Sequence, residues 1–243
     1  MYRFSNPAWG AAAALAIAAP AEGQDAPPPP LGIQGDLGLV STAGNSAVTT
    51  LNVGEKVTWN HRALRLTQTF SIVYGRTGDS TITNQWKASV RSDVQIGGPV
   101  SIYARGAFER NTTAGIARRF EQAVGLAAEL ILKERTTLDV EAGTALNQQT
   151  STTDVTNNFA SGRVAVAFKQ FLTASTFVSQ DVEALPNLEE TDDLRLNSET
   201  ALTAPISSRI AVKLAYNVKF DNVPEPGFQK TDRIFSAGIQ VSF

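Results

Sequence analysis

Cysteine is absent from the 243 residues, histidine occurs once, as His61, and methionine only at position 1. Without thiols there is no disulfide framework and no thiolate metal site. Charged residues are also sparse, at 18%, where soluble domains average about a quarter. No uninterrupted apolar run approaches the roughly 20 residues that a membrane-spanning helix needs. The net charge of −2 leaves no basic face for a nucleic-acid partner. Apolar residues nevertheless reach 42%, too many for a disordered tail. Such a chain folds, and if it enters a membrane it does so as strands.

The N-terminal segment Met1–Ala21 reads as a secretory signal peptide. Arg3 supplies the positive start, Ala8–Ala19 is an apolar small-residue core broken by Trp9 and Gly10, and Ala19-Pro20-Ala21 places small residues at both cleavage positions. Cleavage is expected before Glu22, which removes one cation and leaves a net charge of −3. Residues 22–31 contain Pro27-Pro28-Pro29-Pro30. Four prolines remove four backbone donors and set an extended linker, expected on the periplasmic side.

From residue 32 to the end the period is two. Leu64, Leu66, Gln68, Phe70, Ile72 and Tyr74 alternate with Arg65, Thr67, Thr69, Ser71 and Val73. The same alternation runs through 136–146 and 209–221. Each such segment spans about eleven residues, the length of a tilted strand crossing hydrocarbon. Twelve segments are predicted: 32–42, 47–59, 64–74, 82–94, 100–109, 120–132, 136–146, 158–168, 174–184, 193–204, 209–221 and 231–243. Their connectors alternate between tight turns and longer loops, among them Arg110–Arg119 and Asn147–Asn157. Only the turn Ala43–Ser46 is tight on the long-loop side. The expected fold is an all-β, transmembrane, antiparallel up-and-down barrel of about 12 strands. Closure is required because lipid offers no partner for free backbone groups. Glu55, Gln68, Asn84 and Gln122 fall on the outward face. They are expected either to lie near the interfaces or to be turned by a bulge, with Glu55 the poorest fit.

The last segment places Phe235, Ala237, Ile239, Val241 and the terminal Phe243 on one face, like the C-terminal signal read by the barrel-assembly machinery. Together with Gly35-Asp36-Leu37-Gly38, Ala43-Gly44-Asn45-Ser46, Asp193–Thr200, Lys213-Leu214-Ala215-Tyr216, Phe220-Asp221 and Lys230-Thr231-Asp232, it resembles the salt-induced outer-membrane proteins. The resemblance implies a barrel in the outer membrane of a Gram-negative bacterium, among lipid and lipopolysaccharide. It supplies no catalytic or ligand residues.

Nothing in the chain points to an enzyme. His61, the single imidazole available as a general base, sits in a tight turn between Asn60 and Arg62, and no cofactor loop or metal-ligand spacing is present. The acidic stretch 185–193 reads as a solvated loop, or as a divalent-cation bridge to lipopolysaccharide. The inward face is expected to carry Arg65, Lys87, Arg91 and Arg105, opposed by Glu129, Asp139, Glu141 and Asp181, with Arg195, Glu199 and Lys213 beyond. Two readings of these charges stand. They form a small porin-like channel whose opposed arcs filter ions or small polar solutes, or they pack as salt bridges in a closed stress-adaptation barrel.

Overall fold

The computed structural model describes residues 30–42, 48–77 and 80–243. The signal segment Met1–Ala21, residues 22–29 of the linker and the turn Ala43–Ser46 lie outside the described residues. Twelve strands follow: β1 Leu31–Thr42, β2 Val48–His61, β3 Leu64–Thr77, β4 Ser80–Gly97, β5 Val100–Asn111 and β6 Ile116–Lys133. They continue as β7 Thr136–Ser151, β8 Thr156–Phe171, β9 Phe177–Pro186, β10 Leu194–Pro205, β11 Ile210–Asp221 and β12 Thr231–Ser242. Each pairs antiparallel with its chain neighbours, and β1 pairs with β12 to close the barrel.

Following paired residues once around the wall leads from Ser151 through Asn111, Gly38, Lys213 and Phe177 back to β7 at Arg135. The stagger from 151 to 135 is 16 residues, which over twelve strands tilts them by about 40°. The alternation sorts the side chains. Leu39, Val124, Leu126, Leu146, Val164 and Phe235 are each more than half exposed on the outside, forming an apolar belt suited to hydrocarbon rather than water. Tyr103, Ala123, Ala145, Ser161 and Ala201 are buried inside.

Several strands outrun the expected boundaries. β6 begins at Ile116 and β7 ends at Ser151, so most of the loops expected at 110–119 and 147–157 is hairpin. The physical reason is that ladder hydrogen bonds need no apolar face. Above the apolar belt the strands continue with polar residues on both sides, such as Arg118 bonded to Thr150 and Arg119 to Gln149.

The outward polar residues divide. Asn84 lies near the upper end of β4, paired with Tyr74. Glu55, however, sits midway along β2, and β2 pairs with β1 and β3 without a register shift. Neither an interface nor a bulge accounts for it.

Candidate functional site

The lumen is built in layers by the inward positions of each strand. At mid-height, Tyr103 of β5 is fully buried and lies across the wall at the cross-strand pair Gly125↔Gly143. A Cβ on Gly125 would stand 2.8 Å from the Tyr103 hydroxyl, and one on Gly143 2.6 Å from it, so only glycine leaves the ring its place. The ring is flanked by two guanidinium groups, Arg91 at 4.4 Å and Arg163 at 5.2 Å from its centroid, and its hydroxyl accepts a hydrogen bond from Arg163 at 2.9 Å. Cation–π attraction strengthens as such a site loses water.

Around this ring the charges alternate in sign. Arg91 bonds Asp93 and Glu141, and Arg163 bonds Glu141 and Glu183. Arg105 bonds Glu121 on the neighbouring strand and reaches Glu183 on β9, 3.1 Å to each. One layer higher, Glu109 of β5 accepts Lys219 of β11 at 3.1 Å. Five strands lie between β5 and β11 on either side, so this pair spans the full width of the barrel. Lys87 at 3.6 Å and Arg119 at 3.3 Å complete the cluster on Glu109.

Lower down, Arg65 meets Glu129 at 3.9 Å, with both side chains more than 40% exposed. Lys213 lies between Glu199 and Asp36. The expected opposition thus becomes direct pairing for Arg65–Glu129 and Arg91–Glu141. Arg105 and Lys87 pair with Glu121, Glu183 and Glu109 instead. Asp139 and Asp181 have no ion-pair partner among the described residues. Arg195 is buried against β7 and β8, donating to Asn147 and Ser161 and lying 5.1 Å from the Phe159 ring.

Sequence reasoning passed over Tyr103, Gly125, Gly143 and Arg119. The phase held the signal: Tyr103 is two residues from Arg105, and both glycines alternate in step with Glu121 and Glu141. Arg119 was hidden because its segment reads as loop.

Two cavities flank the charged layers. The larger, about 460 Å³, lies centrally against β1–β4 and β8–β12 and is lined by Asp36, Asn52, Asp181, Glu199 and Lys213. The smaller, about 170 Å³, lies above it, among Arg105, Glu109, Arg119, Arg195 and Asp221. Ser71, Lys87, Glu183, Asn197 and Lys219 line both. The two spaces are therefore separated by side chains alone.

The loop between β11 and β12, Asn222–Lys230, roofs the upper cavity with Pro224, Gln229 and Lys230. It crosses the mouth to the β5–β6 turn. There Glu225 accepts from Gln149 at 2.7 Å, and a Cβ on Gly115 would stand 2.7 Å from both Glu225 and Phe228. Gly115 has φ +78°, which a larger residue would also strain.

Residues 35–243 match the model of a family described as a protein of unknown function, DUF481. The chain belongs to the DUF481 family. No curated protein matches the sequence. Among solved structures, the DUF481 barrel is similar to the translocator domain of the autotransporter NalP from Neisseria meningitidis, at a TM-score of 0.51 and 12% identity, covering 90% of each chain. A NanC porin aligns at a TM-score of 0.48 and 8% identity over 87% of this chain and 97% of that one. An anion-selective porin from Comamonas acidovorans aligns at 0.42 and 9%, over 88% and 98%. At these identities the first likeness shows the barrel fold alone.

His61 stacks on Trp59 at 5.5 Å, at the turn expected to be periplasmic. The acidic stretch is bound locally: Glu189 accepts from the Ala160 amide, and Asn187 bonds Asp193 and the amides of Glu189 and Glu190. Among the described residues no group of three His, Asp or Glu has a metal-holding arrangement.

Proposed function

We propose that this protein is a narrow outer-membrane conduit for ions or small polar solutes, closed at rest by ion pairs and by the Asn222–Lys230 loop. The observation that carries the reading is the shared lining of the two cavities. The residues lining both all stand on wall strands, and the barrier is built of Lys87 and Lys219 on Glu109, with Glu183 beside them held by Arg105 and Arg163. Side chains swing on the nanosecond scale, so such a barrier opens without moving a strand. The apolar belt supports a membrane setting, and the signal-like segment Met1–Ala21 supports export to the outer membrane. On this reading the protein is a passage rather than an enzyme.

The link to salt enters at the same barrier. Lys219 and Glu109 retain some solvent exposure, so dissolved ions compete for either group whenever the pair opens, although screening acts weakly on a pair in contact. Conductance should therefore climb with ionic strength faster than bulk conductivity does.

Bilayer recording is the test. Wild type should show small events, and Glu109→Ala should enlarge them by removing the acceptor shared by three cations. A second reading, a closed structural barrel, is favoured by the full-width Lys219–Glu109 pair. Correctly folded wild type and Glu109→Ala that both fail to conduct would establish that alternative instead.

A further inference from the structure

Glu55 is used neither by the closure of the barrel nor by the proposed conduit. It stands midway along the fourteen-residue β2, four residues from outward-facing Trp59 and four from outward-facing Leu51. That places its exposed carboxylate at the depth of the hydrocarbon, where ionisable groups are costly and mark function. No hydrogen bond or ion pair joins it to another described residue.

The carboxylate lies at one end of an outward groove of about 520 Å³ across β2–β6. Gln68 stands beside it, Gln122 of β6 closes the other end, and Ala88 and Gly106 form the floor. A Cβ on Gly106 would meet nothing within 4 Å. The side chains of Gln68 and Gln122 are likewise without a hydrogen bond among the described residues. On the far wall the outward polar residues behave differently: Gln180 donates to Ser198 and accepts from Thr200. Among the described residues, the β2–β6 face holds an acceptor and amide donors without partners at the two ends of one groove.

We propose that this groove is the contact surface of a homodimer in the membrane, in which Glu55 of each protomer accepts a hydrogen bond from the side-chain amide of Gln122 of its partner. A two-fold axis through the groove near Ala88 and Val90 of β4, midway between β2 and β6, lays each end on the other end of the second copy. An isologous contact then satisfies both ends at once. Small floor residues permit the close approach that membrane interfaces require. The inference is independent of whether the lumen conducts.

Because the chain has no cysteine, single-cysteine variants report the contact directly. Full-length Ala88→Cys, on the central strand of the groove, folded into vesicles and mildly oxidised, should give disulfide-linked dimers. Val90→Cys serves if that variant does not fold. Leu214→Cys, exposed on β11 at the opposite wall, should stay monomeric. In detergent, sedimentation should show a wild-type dimer, with Glu55→Leu raising the dissociation constant roughly tenfold or more while heat-modifiable gel mobility is kept. A monomeric wild type at every protein-to-detergent ratio, cross-links only at Leu214→Cys, or Glu55→Leu dimerising like wild type would each overturn the proposal.

Discussion

Tyr103 shows how much of the interior rests on single atoms. Its ring is held because Gly125 and Gly143 lack a Cβ, and its hydroxyl meets a guanidinium that two carboxylates also hold. A methyl on Gly143 would stand 2.3 Å from the Val124 carbonyl oxygen as well as 2.6 Å from the tyrosine hydroxyl. Gly143→Ala should therefore destabilise the barrel by about 1–3 kcal/mol, the usual cost of overpacking. Tyr103→Leu should fail to rescue it, because the backbone clash remains. Thermal melting of the single and double variants checks both statements. Tyr103→Phe should cost less than Gly143→Ala, since Arg163 keeps Glu141 and Glu183.

The closing seam is the element on which assembly depends. β1 and β12 share only five paired positions, Gln34↔Ser242 to Gly38↔Gly238, whereas β2 and β3 share fourteen. Beyond the last pair, Phe243 exchanges two backbone hydrogen bonds with Ile33, at 2.8 and 3.0 Å. Phe243 thus extends the closing ladder through its backbone as well as presenting a ring. Deleting Phe243 should reduce barrel yield and melting temperature more than Phe243→Ala, which keeps the backbone bonds. Insertion kinetics that treat the two variants alike would assign the effect to the ring. Strand number and facing were legible because hydrocarbon and lumen impose opposite chemistry on alternate residues. Strand ends were not: Arg119 and Asn147 continue a ladder into water, where no face need be apolar.

Over the whole molecule, the charges bear on stability and, on the proposed reading, on passage. Arg105 touches Glu121 and Glu183, and Arg91 touches Asp93 and Glu141, with all six side chains less than a quarter exposed. Replacing both arginines by glutamate sets new carboxylates beside old ones. The double variant should lose several kcal/mol of stability, as buried charges without partners do. Arg91→Gln with Arg105→Gln should lose less. If the glutamate variant instead melts like wild type and becomes cation-selective, these groups are hydrated and the middle layer is open. Shortening the Asn222–Lys230 loop should raise conductance with little change in melting, because across the mouth the loop packs on Gly115 and bonds the Gln149 side chain.

The period of two, read with the absence of any apolar run long enough for a helix, determined by itself an antiparallel barrel of twelve strands and which side chains face inward. Facing follows from alternation along one strand, a local property. Partnership across the lumen is not local. That Arg105 meets Glu183 and Lys219 meets Glu109 depends on the stagger accumulated around all twelve strands, which sets the height of each residue. Likewise, that Glu55 remains outward at mid-depth was decided only by an unbroken register on both sides of β2.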